Sequence, residues 1–176
     1  MKIQLLALAT TVALFSTQFA NGYQVVCPDG WTHWKGGCYR FFNDPSLSWD
    51  DAETYCKKYA LSCDICPDKT GHLAIIESEE ENNFVFNFWK SVRPSPVKEF
   101  PQRVWIGFND KEQEGNYIWV DGTPFQYSNW NPNQPGQLRE SQDCGQMWRL
   151  RNSDLGKWND FTCHEQLAFL CEFRCC

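Results

Sequence analysis

The sequence predicts an α+β fold on three observations. Two segments of helical periodicity lie in the first half of the chain, and each begins at a serine suited to cap a helix. Short runs of aromatic and β-branched residues, separated by turn residues, fill the second half. Ten cysteines among 176 residues indicate a disulfide-stapled domain. Blocks of helices and blocks of strands along one chain are typical of the α+β class.

A β-hairpin is the first predicted element. Gly36 and Gly37 separate two aromatic runs and supply the turn residues of a hairpin. Cys27 and Cys38 lie on its two sides and are able to staple it.

Two helices follow. The first is predicted to begin at Ser48, a capping residue with the acid Asp51 three positions further on. Its apolar face is formed by Trp49, Ala52, Cys56 and Tyr59. The second is predicted to begin at Ser78, before three glutamates whose charge the helix dipole stabilises. Its predicted apolar face consists of Phe84, Val85, Phe88 and Trp89.

Strands and one long loop make up the second half. Residues 125–139 are rich in Asn, Pro, Gln and Gly, which is typical of a functional loop. The strands are predicted at residues 104–108, 117–120, 144–150, 158–163 and 168–173.

The N-terminal segment has the features of a secretory signal peptide. Lys2 precedes an apolar run at residues 5–15 that is too short to span a bilayer, and small residues follow at the cleavage positions. We expect residues 1–22 to be removed. Residues 23–176 are then expected to form one secreted, extracellular domain with its core at 27–173 and no membrane span.

Charge and histidine content exclude several functions. With 22 acidic and 16 basic residues the formal charge is −6, and the sequence has no basic stripe. This argues against nucleic acid or an anionic membrane as the partner. The three histidines form no recognisable Ser, His and Asp set, so we expect no enzymatic activity.

Several short motifs together resemble the C-type lectin-like domain, over residues 27–173. The chain looks most like the small, secreted, single-domain lectins of invertebrates. The matching residues are Cys27-Pro28, Gly30-Trp31, Cys38-Tyr39, Gly71-His72-Leu73-Ala74, Trp105-Ile106-Gly107, residues 117–122, Trp130, Cys144, Trp158-Asn159-Asp160, Cys163 and Cys171-Glu172.

The resemblance implies a fold of two helices with small antiparallel sheets and a long ligand loop. It also implies three disulfides, which are Cys27–Cys38, Cys56–Cys171 and Cys144–Cys163. The second closes a long loop and should stabilise the domain by about 4 to 5 kcal/mol.

The resemblance further implies a calcium ion that binds sugar hydroxyls directly. In the family a cis-proline motif supplies two oxygen ligands, and later residues complete the set. The ligands implied here are Gln134, Gln142, Asn159 and Asp160. Gln134-Pro135 matches the galactose-type motif, so galactose or N-acetylgalactosamine is the expected sugar.

Two of the implied ligands are altered. Gly136 has no side chain where the motif supplies one, and Gln142 stands where the family has a glutamate. Asp160 is then the one carboxylate of the set. Because ligand charge tunes calcium affinity over orders of magnitude, the sequence predicts weak binding.

An auxiliary calcium site of the family matches Asp110, Glu114 and Asp143, with Gln137 in place of a fourth acid. The alternative is that Asp110 and Glu114 belong to a solvated turn.

Aromatic rings often stack on galactose. Trp130 and Trp148 are candidates for that role, and core packing is the alternative for both.

Four cysteines lie outside the family pattern, and their pairing is left open. They are Cys63, Cys66, Cys175 and Cys176. Cys63 and Cys66 have the C-x-x-C spacing of a redox motif, but the βαβ context of such motifs is absent. A four-cysteine zinc site is disfavoured because a secreted protein meets an oxidising environment. Bridges between the segment after the first helix and the tail are one interpretation. A tail cysteine that links two chains into a homodimer is the other.

The sequence supports two functions. The first is a calcium-dependent lectin for galactose-type glycans, with innate recognition of microbial glycans as the role that the family suggests. The alternative is a calcium-independent module of the same fold that binds a protein or mineral surface.

Overall fold

Two helices lie between a first hairpin and a series of later strands. The computed structural model describes residues 26–63, 66–92, 102–136, 141–149 and 156–174, with the backbone alone for 60–69. The predicted signal peptide lies outside these residues. In chain order the elements are β1 (Thr32–Trp34), β2 (Gly37–Leu47), α1 (Trp49–Cys56), β3 (Ala60–Cys63), β4 (Cys66–Thr70), β5 (His72–Leu73), α2 (Glu79–Ser91), β6 (Arg103–Asn109), β7 (Ile118–Trp119), β8 (Cys144–Trp148), β9 (Lys157–Phe161) and β10 (Leu167–Arg174).

An eight-stranded sheet joins both halves of the chain. Its main strand order is β1-β2-β10-β6-β8-β9, with β5 on β10 and β7 on β6. The α+β class is confirmed, but the sheet is one mixed sheet rather than several small antiparallel ones. The reason is that β10 pairs antiparallel with β2 and parallel with β6, and so links the first hairpin to the later strands.

The predicted hairpin is confirmed, with its turn one residue earlier than expected. Lys35 and Gly36 form the turn, with φ values of 41° and 84°. A two-residue hairpin turn that matches the twist of its strands requires a positive φ at both central residues. Trp34 and Gly37 are therefore paired across it.

Helix α1 begins as the capping pattern predicts. The Asp51 N–H donates to Oγ of Ser48 at 3.3 Å, and the Ser48 hydroxyl donates to Oδ2 of Asp51 at 2.6 Å. Trp49, Ala52 and Cys56 are buried on the predicted face. This face packs on β10 through the Cys56–Cys171 disulfide, one of the three that the resemblance implies. All three are present, namely Cys27–Cys38, Cys56–Cys171 and Cys144–Cys163.

Helix α2 is rotated relative to the predicted face. Val85 and Trp89 are buried as expected, but Phe86 is buried as well. Phe84 and Phe88 are half-buried instead and stack side by side, with ring centroids 6.1 Å apart. The rotation follows from the burial of polar side chains at the start of the helix. None of the described helices is long and apolar enough to cross a membrane.

A buried ion-pair cluster fixes the start of α2 to the last strand. Glu81, one of the three glutamates predicted in the first turn, is 4% exposed. Its carboxylate accepts from the Tyr39 hydroxyl at 2.6 Å and from Nη2 of Arg174 at 2.7 Å. Arg174 also pairs with Glu172 at 3.1 Å and with Glu77. The cluster turns the Glu81 side of α2 inward.

The segment after α1 forms a two-stranded hairpin that sequence patterns did not predict. Strands β3 and β4 pair with each other, and Cys63 is the backbone partner of Cys66. The side chains of these cysteines, like Cys175 and Cys176, lie outside the described part of the chain. Their pairing stays a prediction.

Candidate functional site

The long loop before β8 is anchored on β9 at Trp130. The Trp158 N–H donates to the Asn129 carbonyl at 2.8 Å, and the Asn131 N–H donates to the Trp158 carbonyl at 2.8 Å. These bonds form an isolated parallel bridge between Trp130 and Trp158. The loop therefore leaves from a fixed point next to the two β9 residues that the resemblance marks as ligands.

The two tryptophans considered for sugar stacking lie elsewhere. The Trp130 ring packs among Phe108 at 5.1 Å, Tyr117 at 4.9 Å and Trp158 at 6.4 Å, measured between ring centroids. Trp148 stands at the far end of β8, roughly 13 Å from its first residue at the usual rise per residue. Trp130 thus packs against the core, and Trp148 lies away from the loop.

A tight turn presents the first implied ligand. Asn133 has a φ of 70°, a left-handed conformation that asparagine tolerates. The Gln134 N–H donates back to the Asn131 carbonyl at 2.9 Å. The peptide bond from Gln134 to Pro135 is cis, as in the family motif. The turn directs the Gln134 side chain toward β9.

Three side-chain oxygens converge on the space beside Gly136. A Cβ placed on Gly136 would lie 3.3 Å from Oε1 of Gln134, 3.5 Å from Oε1 of Gln142 and 3.9 Å from Oδ1 of Asp160. Within the described residues, Oε1 of Gln134 is buried without a hydrogen-bond partner. The loop and strands β8 and β9 thus bring three of the four predicted ligands together.

The fourth predicted ligand, Asn159, lies in strand β9. Asn159 precedes Asp160 in β9 and is 3% exposed. Its side-chain amide donates to the Asp160 carbonyl. The Cys144–Cys163 disulfide joins β8 to the segment after β9 and holds these strands together below the loop.

Asp160 is held by donors from two directions. It is 1% exposed. The Gly136 N–H lies 3.3 Å from its Oδ1 and 3.2 Å from its Oδ2, and the Tyr117 hydroxyl donates to Oδ2 at 2.9 Å. Sequence reasoning assigned Tyr117 to a strand and missed this contact. An aromatic residue in a β-type run gives no signal of a hydroxyl–carboxylate bond.

The auxiliary acids are partly assembled. The Asp110 N–H donates to the Asp143 carbonyl at 3.1 Å, and Oδ2 of Asp110 accepts from the Gly115 N–H at 2.8 Å. Oδ1 of Asp110 is buried with no hydrogen-bond partner in the described part of the chain. Glu114 is exposed in the turn that Gly115 closes. Gln137 lies outside the described residues.

The carboxylates of the two predicted sites repel one another. Burial raises the pKa of Asp110, and the Asp143 and Asp160 carboxylates raise it further, against the lowering effect of the Gly115 N–H. Burial, together with the Asp160 and Asp110 carboxylates, also raises the pKa of Tyr117. A cation would relieve this repulsion.

The donor set fits calcium rather than a softer metal. Amide and carboxylate oxygens are hard ligands of the kind calcium takes, and an orphaned buried oxygen at Gln134 is available to it. Among the described residues, no group of three or more His, Cys, Asp and Glu side chains is arranged to hold a metal. The loop set carries one carboxylate, so the fit is to a weakly charged site.

Fold and loop together define a class of protein. The model of the Lectin C-type domain family matches residues 45–173. The chain therefore belongs to the C-type lectin family, as the motifs suggest.

Three similar proteins illustrate the range of that family. An alpha-N-acetylgalactosamine-specific lectin of Patiria pectinifera is 36% identical over 142 residues, 81% of this chain and 77% of the relative. The crystal structure of C-type lectin CEL-I from Cucumaria echinata has a TM-score of 0.70 at 30% identity, covering 84% and 96% of the two chains. A calcium-independent type II antifreeze protein has a TM-score of 0.67 at 30% identity, covering 86% and 97%.

Proposed function

We propose that the chain is a lectin that binds galactose or N-acetylgalactosamine through a calcium ion in the loop between Trp130 and Cys163. The observation that carries the proposal is the convergence of the Gln134, Gln142 and Asp160 oxygens beside Gly136. The similarity to an N-acetylgalactosamine-specific lectin supports the same sugar class.

Each residue of the set has a distinct part in the proposal. Gln134, Gln142, Asn159 and Asp160 would hold the ion, which when bound offers a positive centre to adjacent sugar hydroxyls. The turn before Pro135 orients Gln134, and the Gly136 N–H ties the loop to Asp160. Side-chain amides at two of the positions lower the charge of the site, so we expect a calcium affinity at the weak end of the family.

The auxiliary acids are proposed as a second, ordering calcium site. Asp110, Glu114 and Asp143 would contribute, although in this structure the three described side chains are not gathered into one metal-holding group. The unpartnered Oδ1 of Asp110 favours this interpretation over a plain solvated turn. A cation there would also reduce the repulsion that Asp143 and Asp160 exert on Asp110.

The decisive experiment is affinity chromatography on immobilised N-acetylgalactosamine and on immobilised mannose. We expect retention on the first in calcium and release by a chelator. Retention that survives the chelator contradicts the metal mechanism. Preferential retention on mannose contradicts the sugar class while leaving the metal in place.

A second candidate function is supported by Gly136 and Gln142 themselves. Both remove calcium ligand charge, and a calcium-independent antifreeze protein shares the fold at 30% identity. In this alternative the loop face binds a protein or mineral surface without a metal. Absence of glycan retention, together with absence of calcium binding by calorimetry, would favour it.

Secretion and self-association complete the proposal. We propose that residues 1–22 direct secretion and that the mature domain begins near Tyr23, which N-terminal sequencing of the secreted protein tests. The proposed ligands are glycans, with microbial surfaces as their source. A homodimer, disulfide-linked through the tail, is the proposed assembly.

A further inference from the structure

The Tyr117 side chain holds a hydroxyl at a fixed point between two buried carboxylates. Its ring is packed among Phe108 at 5.5 Å, Phe125 at 5.6 Å and Trp130 at 4.9 Å, measured between centroids. Contacts on several sides leave the ring little freedom. The position of the hydroxyl is therefore set by the aromatic rings packed around Tyr117.

Two carboxylates lie near this hydroxyl, and one of them accepts its hydrogen bond. The hydroxyl donates to Oδ2 of Asp160 at 2.9 Å. The second carboxylate is that of Asp110, which is 2% exposed and whose Oδ2 accepts from the Gly115 N–H at 2.8 Å. A hydroxyl has one proton to donate. The bond with full hydrogen-bond geometry is the one to Asp160, and Oδ1 of Asp110 has no partner of that geometry among the described residues.

The orientation of Asp160 depends on this bond. Among the described residues, the other donor to the Asp160 side chain is the backbone N–H of Gly136. Its contacts are longer, at 3.2 Å to Oδ2 and 3.3 Å to Oδ1, and are shared between the two oxygens. The shorter Tyr117 bond distinguishes Oδ2 from Oδ1. It leaves Oδ1, the oxygen 3.9 Å from the Cβ position of Gly136, turned toward the two glutamine oxygens.

We propose that Tyr117 is a positioning residue for the cation, since its hydroxyl fixes the rotation of the Asp160 carboxylate in the loop site. The inference rests on the proposed function, because Asp160 is the one carboxylate among the proposed ligands. Partners that orient a ligand group typically change metal affinity by about 10- to 100-fold when removed.

The test compares Tyr117→Phe with Tyr127→Phe. Both variants lose one hydroxyl and keep a ring, and the Tyr127 ring also packs against Trp158, at 5.5 Å between centroids. Calcium titration by calorimetry should show affinity about tenfold weaker in Tyr117→Phe and unchanged in Tyr127→Phe. N-acetylgalactosamine binding by Tyr117→Phe should return to the wild-type level at saturating calcium.

Each other outcome identifies what has failed. Unchanged calcium affinity in Tyr117→Phe overturns the positioning role alone. Sugar binding that stays weak at saturating calcium also overturns it, because the hydroxyl would then be supporting the loop and not the cation. A wild-type protein that binds no calcium overturns the metal mechanism of the proposed function, and this inference with it.

Discussion

The backbone N–H of Gly136 lies 3.2 Å from Oδ2 of Asp160. The loop residue without a side chain is thereby joined to the strand residue that carries the charge of the proposed site. A Cβ on Gly136 would lie 3.3 Å from Oε1 of Gln134, a tight contact that the movable end of the glutamine side chain can relieve. In the proposed site, glycine at this position keeps the backbone bond to Asp160 and offers no side-chain ligand.

Restoring that ligand should strengthen calcium binding. Gly136→Asp adds a second carboxylate, and the crowded neighbour is the movable end of the Gln134 side chain. We expect calcium affinity by calorimetry to rise at least about tenfold, because ligand charge tunes affinity over orders of magnitude. Gly136→Asn is the matched control of similar shape without charge. Equal affinities in the two variants would contradict the electrostatic account.

Removing the existing carboxylate should abolish binding. Asp160→Ala is expected to lose both calcium binding and retention on N-acetylgalactosamine, while the disulfide-stapled fold persists. Asp121→Ala, in an exposed turn outside the proposed sites, is the control. Retention by Asp160→Ala in calcium would exclude the proposed site, provided that near-UV circular dichroism matches the wild type.

The ion-pair cluster below α2 should contribute strongly to stability. Arg174→Met leaves the buried carboxylate of Glu81 without its cation and removes the side-chain partner of the buried Glu172. Removing one partner of a fully buried ion pair lowers the unfolding free energy by about 3 to 5 kcal/mol. Because the Arg174 side chain is 36% exposed, solvent screening reduces this to about 2 to 3 kcal/mol of unfolding free energy by urea titration. Lys35→Met, in an exposed pair, should change it by less than about 1 kcal/mol. Equal effects would argue against a buried cluster.

Stability should fall as pH rises from about 5 to about 8. Burial raises the pKa of Glu172 from 4.5 to about 8. In this window the folded state holds a proton that the unfolded state releases, so the free energy of unfolding decreases with pH. The contribution is complete below the unfolded value and is lost as pH passes the folded one. Urea titrations at several pH values in this range should show that the unfolding free energy of Glu172→Gln falls less steeply with pH, because glutamine does not titrate. Parallel slopes would remove Glu172 as the cause.

The extra cysteines can be assigned by mass spectrometry of non-reduced peptides. Because Cys63 and Cys66 are backbone partners in two paired strands, we expect these two to be linked. Cys175 and Cys176 are then left for the dimer. A single monomer band on a gel without reductant would contradict the covalent dimer. Peptides that link the hairpin to the tail would contradict the assignment of Cys63 and Cys66.

Local patterns predicted the elements, and long-range polar contacts account for most of what they missed. Ser48 and Ser78 cap their helices as expected, because a cap depends on residues three positions away. The burial of Glu81 depends on Arg174, a residue 93 positions further along the chain, so periodicity alone placed Phe84 and Phe88 in the core.

The proposed site follows the same division. The family motif indicated Gln134 and Asp160, which the folded chain brings to the same space beside Gly136. The bond from Tyr117 to Asp160 spans 43 residues and has no sequence signature. The β3–β4 hairpin was missed because residues 60–70 show neither strict alternation nor a turn motif rich in glycine or asparagine.

Strand β10 lies between β2 and β6 in the sheet, yet it is the last strand along the chain. A ribosome therefore synthesises β1 to β9 before the strand that joins β2 to β6 exists. Until then β2 and β6 each have an unpaired edge, and Cys56 has no partner thiol for its disulfide. The sheet can close only after β10 has been synthesised, and a nascent chain that stalls before β10 would present two open strand edges to its neighbours.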